Sequence, residues 1–280
     1  MTTQDQTVPA PAPRQPNTLR TVLLVVGSIV LAIILIGTVA RVAFSLNRDD
    51  TSGTFAIDEA FDTVELRSSA ADVKVEYTDV TEPEIRFDQG GTNLRLDYSV
   101  SGGILNVRVD HAGWGWWGWG FDGWGWNDDA KVKLSLPKAM EGDGVELAIE
   151  STAGDLRVFG DYGDVTVEST AGNLRMSGAA EDLQITTTAG DVRLDDIAVN
   201  GAFRSESTAG DGRFDFRSLP DSMEVTSTAG DVRVVLPSGS YRIETDTTAG
   251  EVRQSVSSDQ DAERVYRFET TAGDIELNER

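Results

Sequence analysis

The sequence predicts an all-β protein: a parallel β-solenoid (β-helix) of about 18–20 residues per rung, preceded by one N-terminal transmembrane helix. Three observations lead to this fold class. The first is a 20-residue run without a charge at residues 21–40. The second is the period-two alternation of apolar and polar residues that is typical of strands. The third is the tripeptide Thr-Ala-Gly, which occurs seven times at intervals of 18 to 23 residues, with glycines at Gly154, Gly172, Gly190, Gly210, Gly230, Gly250 and Gly273.

The chain begins with two segments that are not part of the repeat. Residues 1–20 are polar and contain four prolines, which predicts a disordered tail. At a rise of 1.5 Å per residue, the run 21–40 is roughly 30 Å long, about the thickness of the hydrocarbon core of a bilayer. We assign 21–46 to a transmembrane helix with its flank and 47–53 to a linker.

A cleaved signal peptide is the alternative for this apolar run. The run is longer than a usual signal-peptide core, and residues 38–40 make only a mediocre cleavage site, so we favour an uncleaved anchor. The basic residues on its two sides are tied, with Arg14 and Arg20 before it and Arg41 and Arg48 after it. We expect a single-pass protein of the cell membrane with a cytoplasmic N-terminus and an extracytoplasmic C-terminal domain, an orientation that depends on the family resemblance given below.

Residues 54–136 predict an irregular N-terminal part of the solenoid with less even strand spacing. Its candidate strands are Val64–Leu66, Val73–Tyr77, Glu84–Phe87, Leu94–Tyr98, Leu105–Val109 and Val132–Leu136. The segment Ser68–Val75 resembles a degenerate copy of the later repeat.

Within this part, a Trp/Gly-rich loop at residues 110–129 holds all six tryptophans of the chain. Three roles remain open: packing over a flank or end of the solenoid, insertion at a membrane interface, and binding of glycans or proteins. The candidate binding residues are Trp114, Trp116, Trp117, Trp119, Phe121, Trp124 and Trp126.

Residues 137–280 predict the regular Thr-Ala-Gly solenoid, with two short strands and two turns per rung. Glycine suits a tight corner because it accepts positive φ, and Asp or Asn can bond to turn amides. The Ser or Thr before each Thr-Ala-Gly has inward parity, and we expect these hydroxyls to hydrogen-bond up and down the stack. They are Ser151, Ser169, Thr187, Ser207, Ser227, Thr247 and Thr270.

An arginine recurs with outward parity after each of six of these turns, which predicts an outward ladder. Its members are Arg157, Arg175, Arg193, Arg213, Arg233 and Arg253. One interpretation is a solvated face whose charges are balanced by interleaved acids. The other is a docking stripe for an anionic polymer of the cell wall.

Composition excludes several function classes. The net charge of −23 disfavours nucleic acid as a partner. Without cysteine there are no thiol nucleophiles or Cys-ligated metals, and with one histidine there is no multi-histidine metal site. Calcium at the acidic turns would have only one acidic residue per rung. No nucleophile-elbow, zinc-protease or phosphate-loop motif is present. The sequence therefore predicts no catalytic residues, no metal site and no cofactor.

With the repeat laid out, residues 54–280 resemble a bacterial β-solenoid family of presumed adhesins of unknown function, which includes domains like that of the envelope-stress protein LiaG. The resemblance rests on the entry Leu136-Pro137-Lys138 and on rungs of the type Glu150–Val158. It implies an envelope location and adhesive or stress-related roles, and it supplies no catalytic residues.

We therefore expect a non-catalytic adhesin-like or envelope scaffold module, held by its helix in the membrane and facing cell-wall polymer or envelope proteins. The first alternative is an accessory or sensor protein of an envelope-stress signalling system. The second, weaker alternative is a polysaccharide-acting enzyme on a β-helix. The acids and arginines recur with the rung, so none stands out as a special catalytic site.

Overall fold

The computed structural model describes residues 47–49, 52–111 and 130–280, within one compact unit that comprises Leu46–Arg280. In these ranges the regular structure is β apart from a short 3-10 helix at Lys138–Met140. No helix among the described residues is long and apolar enough to cross a membrane. The predicted tail and membrane segment, residues 1–46, lie outside the described residues.

Two sheets of eleven strands face each other across one core. Sheet I has, in spatial order, β1 (Asn47–Asp49), β6 (Leu94–Ser101), β7 (Ile104–His111), β3 (Thr63–Ser68), β9 (Glu146–Ser151), β11 (Val165–Ala171), β13 (Leu183–Ala189), β15 (Ala202–Ala209), β17 (Ser222–Ala229), β21 (Val265–Ala272) and β19 (Arg242–Ala249).

Sheet II holds the other eleven strands, which from β8 onward alternate along the chain with those of sheet I. In spatial order it has β2 (Gly53–Ala56), β5 (Glu84–Asp88), β8 (Ala130–Pro137), β4 (Ala71–Thr78), β10 (Leu156–Asp161), β12 (Leu174–Ala180), β14 (Val192–Val199), β16 (Gly212–Phe216), β18 (Val232–Leu236), β22 (Ile275–Glu279) and β20 (Val252–Gln254).

Each rung of the repeat is one strand of sheet I, a Thr-Ala-Gly corner and one strand of sheet II, and successive rungs pair in parallel. Alternate side chains point inward, so that Val165 and Val167 of β11, like Leu174 and Met176 of β12, are at most 1% exposed. For the described residues, these findings confirm an all-β structure with long parallel sheets of the β-solenoid kind.

At both ends of the solenoid, the order of the rungs in space differs from their order in the sequence. The predicted degenerate copy is a true rung, because β3 and β4 pair directly with β9 and β10. Between β4 and β9, the described residues 79–111 and 130–145 add strands beyond β3 and β4, including the antiparallel pairs β6–β7 and β5–β8.

At the other end, the last rung of the chain is inserted. Strands β21 and β22 lie between the rung of β17 and β18 and the rung of β19 and β20. The expectation that successive copies stack directly on one another is therefore wrong for the last two copies. The terminal position belongs to residues 242–254, and it carries polar residues on its inward side. Thr245 lies beside buried Phe268, and Gln254 lies beside buried Leu277. Inward polar residues protect a sheet edge from further pairing.

The predicted hydroxyl stack is present, but among the described residues only Thr247 makes the predicted hydrogen bond to a neighbouring rung, to the carbonyl of Gly273 at 3.3 Å. Ser151, Ser169, Thr187, Ser207 and Ser227 lie in register on successive rungs. Within the described structure, the last four of these hydroxyls have no hydrogen-bond partner, and the Thr270 hydroxyl has none either. Ser151 instead donates to the carbonyl of Ala153, within its own corner. Apart from Thr247, these small side chains fill the corner without a hydrogen bond to the next rung.

Candidate functional site

The outer face of sheet II carries a straight row of basic side chains. Arg157, Arg175, Arg193, Arg213 and Arg233 occupy the same register position on five consecutive rungs. Glu276 of the inserted rung follows Arg233, and Arg253 lies beyond it. Five of the six predicted ladder arginines are therefore neighbours, and the sixth is separated from them by a carboxylate.

The row is longer than the repeat motif indicates. On the other side of Arg157 it continues through Lys74, Lys133 and Arg86. Eight basic residues thus follow one another across sheet II, and we call these eight the basic row. Lys74 could have been found in the sequence, since it takes the arginine position of the degenerate copy. Lys133 and Arg86 join only because β8 and β5 return to the same sheet.

A second row runs beside part of it along the corner, two residues before the outward position that is held by Lys74, the six ladder arginines and Glu276. We call it the turn row, and it comprises Asp72, Asp155, Asn173, Asp191, Asp211, Asp231, Asp274 and Glu251.

The turn row links neighbouring rungs through hydrogen bonds. The backbone N–H of Asp211 donates to Oδ1 of Asp191 at 2.9 Å, and the N–H of Asp231 donates to Oδ1 of Asp211 at 3.0 Å. Asn173 fills the same role, because its Oδ1 accepts the N–H of Asp191 at 3.0 Å. The sequence predicted that these side chains bond to turn amides, and the structure shows that the amide belongs to the next rung.

Ion pairs neutralise only some of the charges of the basic row and the turn row. Asp195 lies 2.9 Å from Nη2 of Arg175 and 2.8 Å from Nε of Arg193. Arg157 pairs with Asp155 at 3.0 Å, and Arg233 lies 2.6 Å from Glu276. Bonds from Asn278 and Arg233 lower the pKa of the Glu276 carboxyl below its usual range.

Lys74 and Lys133 share one carboxylate at the other end of the basic row. Glu76 lies 2.7 Å from Lys74 and 2.9 Å from Lys133. Partial burial acts to raise the pKa of Glu76, but the bonds from these two ammonium groups outweigh it and hold the pKa below the ordinary value.

Other charges of the face have no partner in the described part of the chain. Arg213 has no carboxylate within ion-pair distance there. The carboxylates of Asp191, Asp211 and Asp231 accept backbone amides but have no basic partner among the described residues.

The two rows line an open groove of about 330 Å³ that extends over four rungs, from Asp155 and Arg157 to Asp211 and Arg213. Its floor is the strand segment at Leu156, Leu174 and Val192, whose side chains point away from the groove into the core. Among the described residues, no group of three His, Asp or Glu side chains is placed to hold a metal ion. The groove offers guanidinium donors on one side and carboxylate or amide acceptors on the other, which suits polar recognition along an extended surface.

The predicted tryptophan loop is flanked by two described strands. The residues Trp114, Trp116, Trp117, Trp119, Phe121, Trp124 and Trp126 lie outside the described residues. The flanks are described: β7 ends at His111 and β8 begins at Ala130, and these strands pair with β3 and β4. The loop therefore joins two strands that in the other rungs are joined by the Thr-Ala-Gly corner.

Comparisons with solved structures find several similar proteins. One is a protein from Clostridium sporogenes named for a presumed role in cell adhesion, with 11% identity, a TM-score of 0.40 and coverage of 83% of this chain and 100% of that one. Presumed adhesins from Bacteroides fragilis (10% identity, TM-score 0.42, 84% and 98% coverage) and Parabacteroides merdae (11%, 0.43, 84% and 96%) are similar.

No curated protein matches the chain. The family described as Toastrack DUF4097 matches residues 56–279, which include both sheets from the end of β2 to the end of β22. This match confirms the resemblance to adhesin-like β-solenoid domains of unknown function. The chain belongs to the Toastrack DUF4097 family.

Proposed function

We propose that this protein is a non-catalytic adhesin-like or scaffold module, displayed outside the cell membrane by a single N-terminal anchor. Its binding surface is the outer face of sheet II. The observation that carries the proposal is the pairing of the basic row with the turn row, which gives almost every rung the same two polar groups in the same places. A repeated array suits attachment to an extended partner, whereas catalysis uses one unique set of groups.

Two further observations support the envelope role. The uncharged run 21–40 has the length of a membrane span. The similar solved structures include proteins named as presumed adhesins.

The proposal is tested by the binding of the full-length chain, held in lipid nanodiscs, to isolated bacterial envelopes in a sedimentation assay. The test variant carries Arg175→Gln, Arg193→Gln and Arg213→Gln. Exposed charge contacts are worth about 0–1 kcal/mol each, so three of them change the affinity by roughly ten-fold.

The matched control removes the same charge from sheet I with Arg204→Gln, Arg242→Gln and Arg267→Gln, which lie in ion pairs on the opposite outer face. Selective loss in the sheet II variant supports the proposal. Equal binding by both variants and the unchanged chain rejects sheet II as the binding surface.

The tryptophan loop, which connects β7 of sheet I to β8 of sheet II, is a second proposed contact. Replacing its six tryptophans with alanine should weaken envelope binding while the far-UV circular dichroism of the β-solenoid stays unchanged. Full binding by this variant would remove the loop from the proposal and leave sheet II as the surface.

A further inference from the structure

Charges of both signs stand uncompensated side by side on sheet II. Asp191, Asp211 and Asp231 have no basic partner in the described structure, and neighbouring Arg213 has no acidic one. Asp191 and Asp231 are exposed, and Asp211 is half-buried. The face therefore fits a partner that brings cationic and anionic groups together.

The spacing of the two rows indicates which arrangement of charges the partner carries. Neighbouring rungs lie roughly 4.8 Å apart, and the rows, two residues apart along each strand, are separated by roughly 6.6 Å. A linear polyanion would match the arginines but would meet a carboxylate on nearly every rung. A partner with both signs at these same intervals avoids that repulsion.

We infer that the partner is a second copy of this chain, bound face to face through sheet II with the two solenoid axes parallel. This inference rests on the proposed function, in which sheet II is the binding surface, and it names the partner.

Symmetry decides the orientation of the pair. A two-fold axis parallel to the solenoid and midway between the rows places Asp191 of one copy opposite Arg193 of the other, and the reverse contact forms at the same rung. A two-fold axis perpendicular to the solenoid places like rows over each other, which is repulsive. The parallel arrangement is closed and self-complementary, so it forms a dimer.

The contact is expected to be weak in dilute solution. Exposed ion pairs contribute little individually, and the net charge of −23 opposes association, although salt screens charges beyond roughly 8 Å. Anchoring in a membrane raises the effective concentration of the second copy. The dimer is therefore a property of the membrane-held protein.

The absence of cysteine makes site-specific cross-linking a clean test. Two differently tagged full-length chains are co-expressed, one with Asp191→Cys and the other with Arg193→Cys, and intact membranes receive a short bis-maleimide. The parallel dimer predicts mixed-tag cross-links at least several-fold above those formed by either single variant alone.

A second pair reports the opposite orientation. Asp155→Cys and Asp231→Cys lie four rungs apart on the turn row and meet only when the solenoids run antiparallel. Little cross-linking of this pair, beside strong cross-linking of the 191 and 193 pair, supports the inference. Equal or stronger cross-linking of the 155 and 231 pair overturns it, and so does a lack of cross-links in both pairs.

Replacing aspartates of the turn row with asparagine distinguishes binding of a second copy from binding of a polyanion. The variant carries Asp191→Asn, Asp211→Asn and Asp231→Asn in both chains, and Asn173 shows that asparagine keeps the hydrogen bond to the next rung. For cross-linking, this variant carries a second cysteine pair, Asp155→Cys and Arg157→Cys. A second copy predicts a several-fold fall in that cross-linking compared with the same pair in an otherwise unchanged chain. Unchanged or higher cross-linking contradicts the inference.

The experiments also distinguish failure of this inference from failure of the proposed function. Inorganic polyphosphate is the probe for a polyanion. If the Asn variant binds polyphosphate more tightly than the unchanged chain does, and the unchanged chain forms no cross-links, the partner is a polyanion. That outcome rejects the second copy. Loss of envelope binding on Arg175, Arg193 and Arg213 replacement would still support the proposed function in that case.

Discussion

The stacked corners predict a severe effect for Gly190→Ala. Gly190 has φ +128°, and a Cβ at this position would lie 2.1 Å from the carbonyl oxygen of Gly172 on the neighbouring rung. Carbon and oxygen normally stay at least about 3.3 Å apart, so the two rungs must separate locally by more than ~1 Å. The bond from the N–H of Gly190 to the Ala209 carbonyl, now 3.1 Å, lies at the same corner and would be strained.

The magnitude follows from two contributions. Forcing a side chain into this backbone region costs about 1–3 kcal/mol. Weakening one or two interstrand hydrogen bonds costs about 1 kcal/mol each. Their sum, about 2–5 kcal/mol, is a large share of the ~5–15 kcal/mol that stabilises a typical domain. For a chain of this size we expect the melting temperature to fall by roughly 10 °C.

The control is Gly142→Ala, because Gly142 also has positive φ, +90°, but an added Cβ meets no atom within 4 Å. The Gly142→Ala variant therefore has the cost of a side chain at positive φ without a steric clash. The measurement is thermal and denaturant unfolding of both full-length variants in non-ionic detergent, followed by far-UV circular dichroism. A Gly190→Ala protein no less stable than the Gly142→Ala protein would refute the argument from close rung stacking.

Three other substitutions test single contacts by the same unfolding measurement. Partial burial, and then the charge of Glu150, raise the pKa of Glu168, so ionised Glu168 destabilises the fold. Glu168→Gln should therefore stabilise the protein by roughly 0.2–1 kcal/mol at pH 7. The gain in stability should vanish as pH falls through the ordinary Glu pKa, about 4.3. A gain that persists at pH 3 would show that it does not come from the charge of Glu168. Tyr266→Phe leaves the carbonyl of Pro220 without its 2.7 Å donor and should cost about 1–3 kcal/mol, so an unchanged midpoint would show that the bond is unimportant. Arg280→Ala removes exposed ion pairs and should cost no more than about 1 kcal/mol; a larger loss would give the C-terminal residue a greater role in holding the inserted rung.

The faces of the solenoid are predictable from the sequence because strand parity is a local property. Each Thr-Ala-Gly corner fixes which of the next residues points inward, so Leu174 and Met176 are core and Arg175 is surface whatever lies on either side. The arginine positions on sheet II follow from the same rule. The degenerate copy at Ser68–Val75 was recognisable for this reason too.

The order of the last two rungs is not predictable in the same way. Residues 242–254 and 265–279 carry the same corner unit, so both satisfy local parity in either position. Long-range packing distinguishes them. Tyr266 stacks on Tyr241 with ring centroids 5.1 Å apart, and its hydroxyl donates to the Pro220 carbonyl at 2.7 Å. Neither contact has a signature in the repeat.

The inserted rung also determines where the basic row ends. If residues 242–254 stacked directly on the rung of β17 and β18, Arg253 would follow Arg233 and the row would continue to the edge of the sheet. Insertion of β22 places Glu276 next to Arg233 instead, at 2.6 Å, and this ion pair closes the row. The terminal rung is then left to protect the edge with Thr245 and Gln254. The chain thus uses its last copy to limit the charged face and its second-to-last copy to cap the sheets, a division of roles that the repeat alone does not specify.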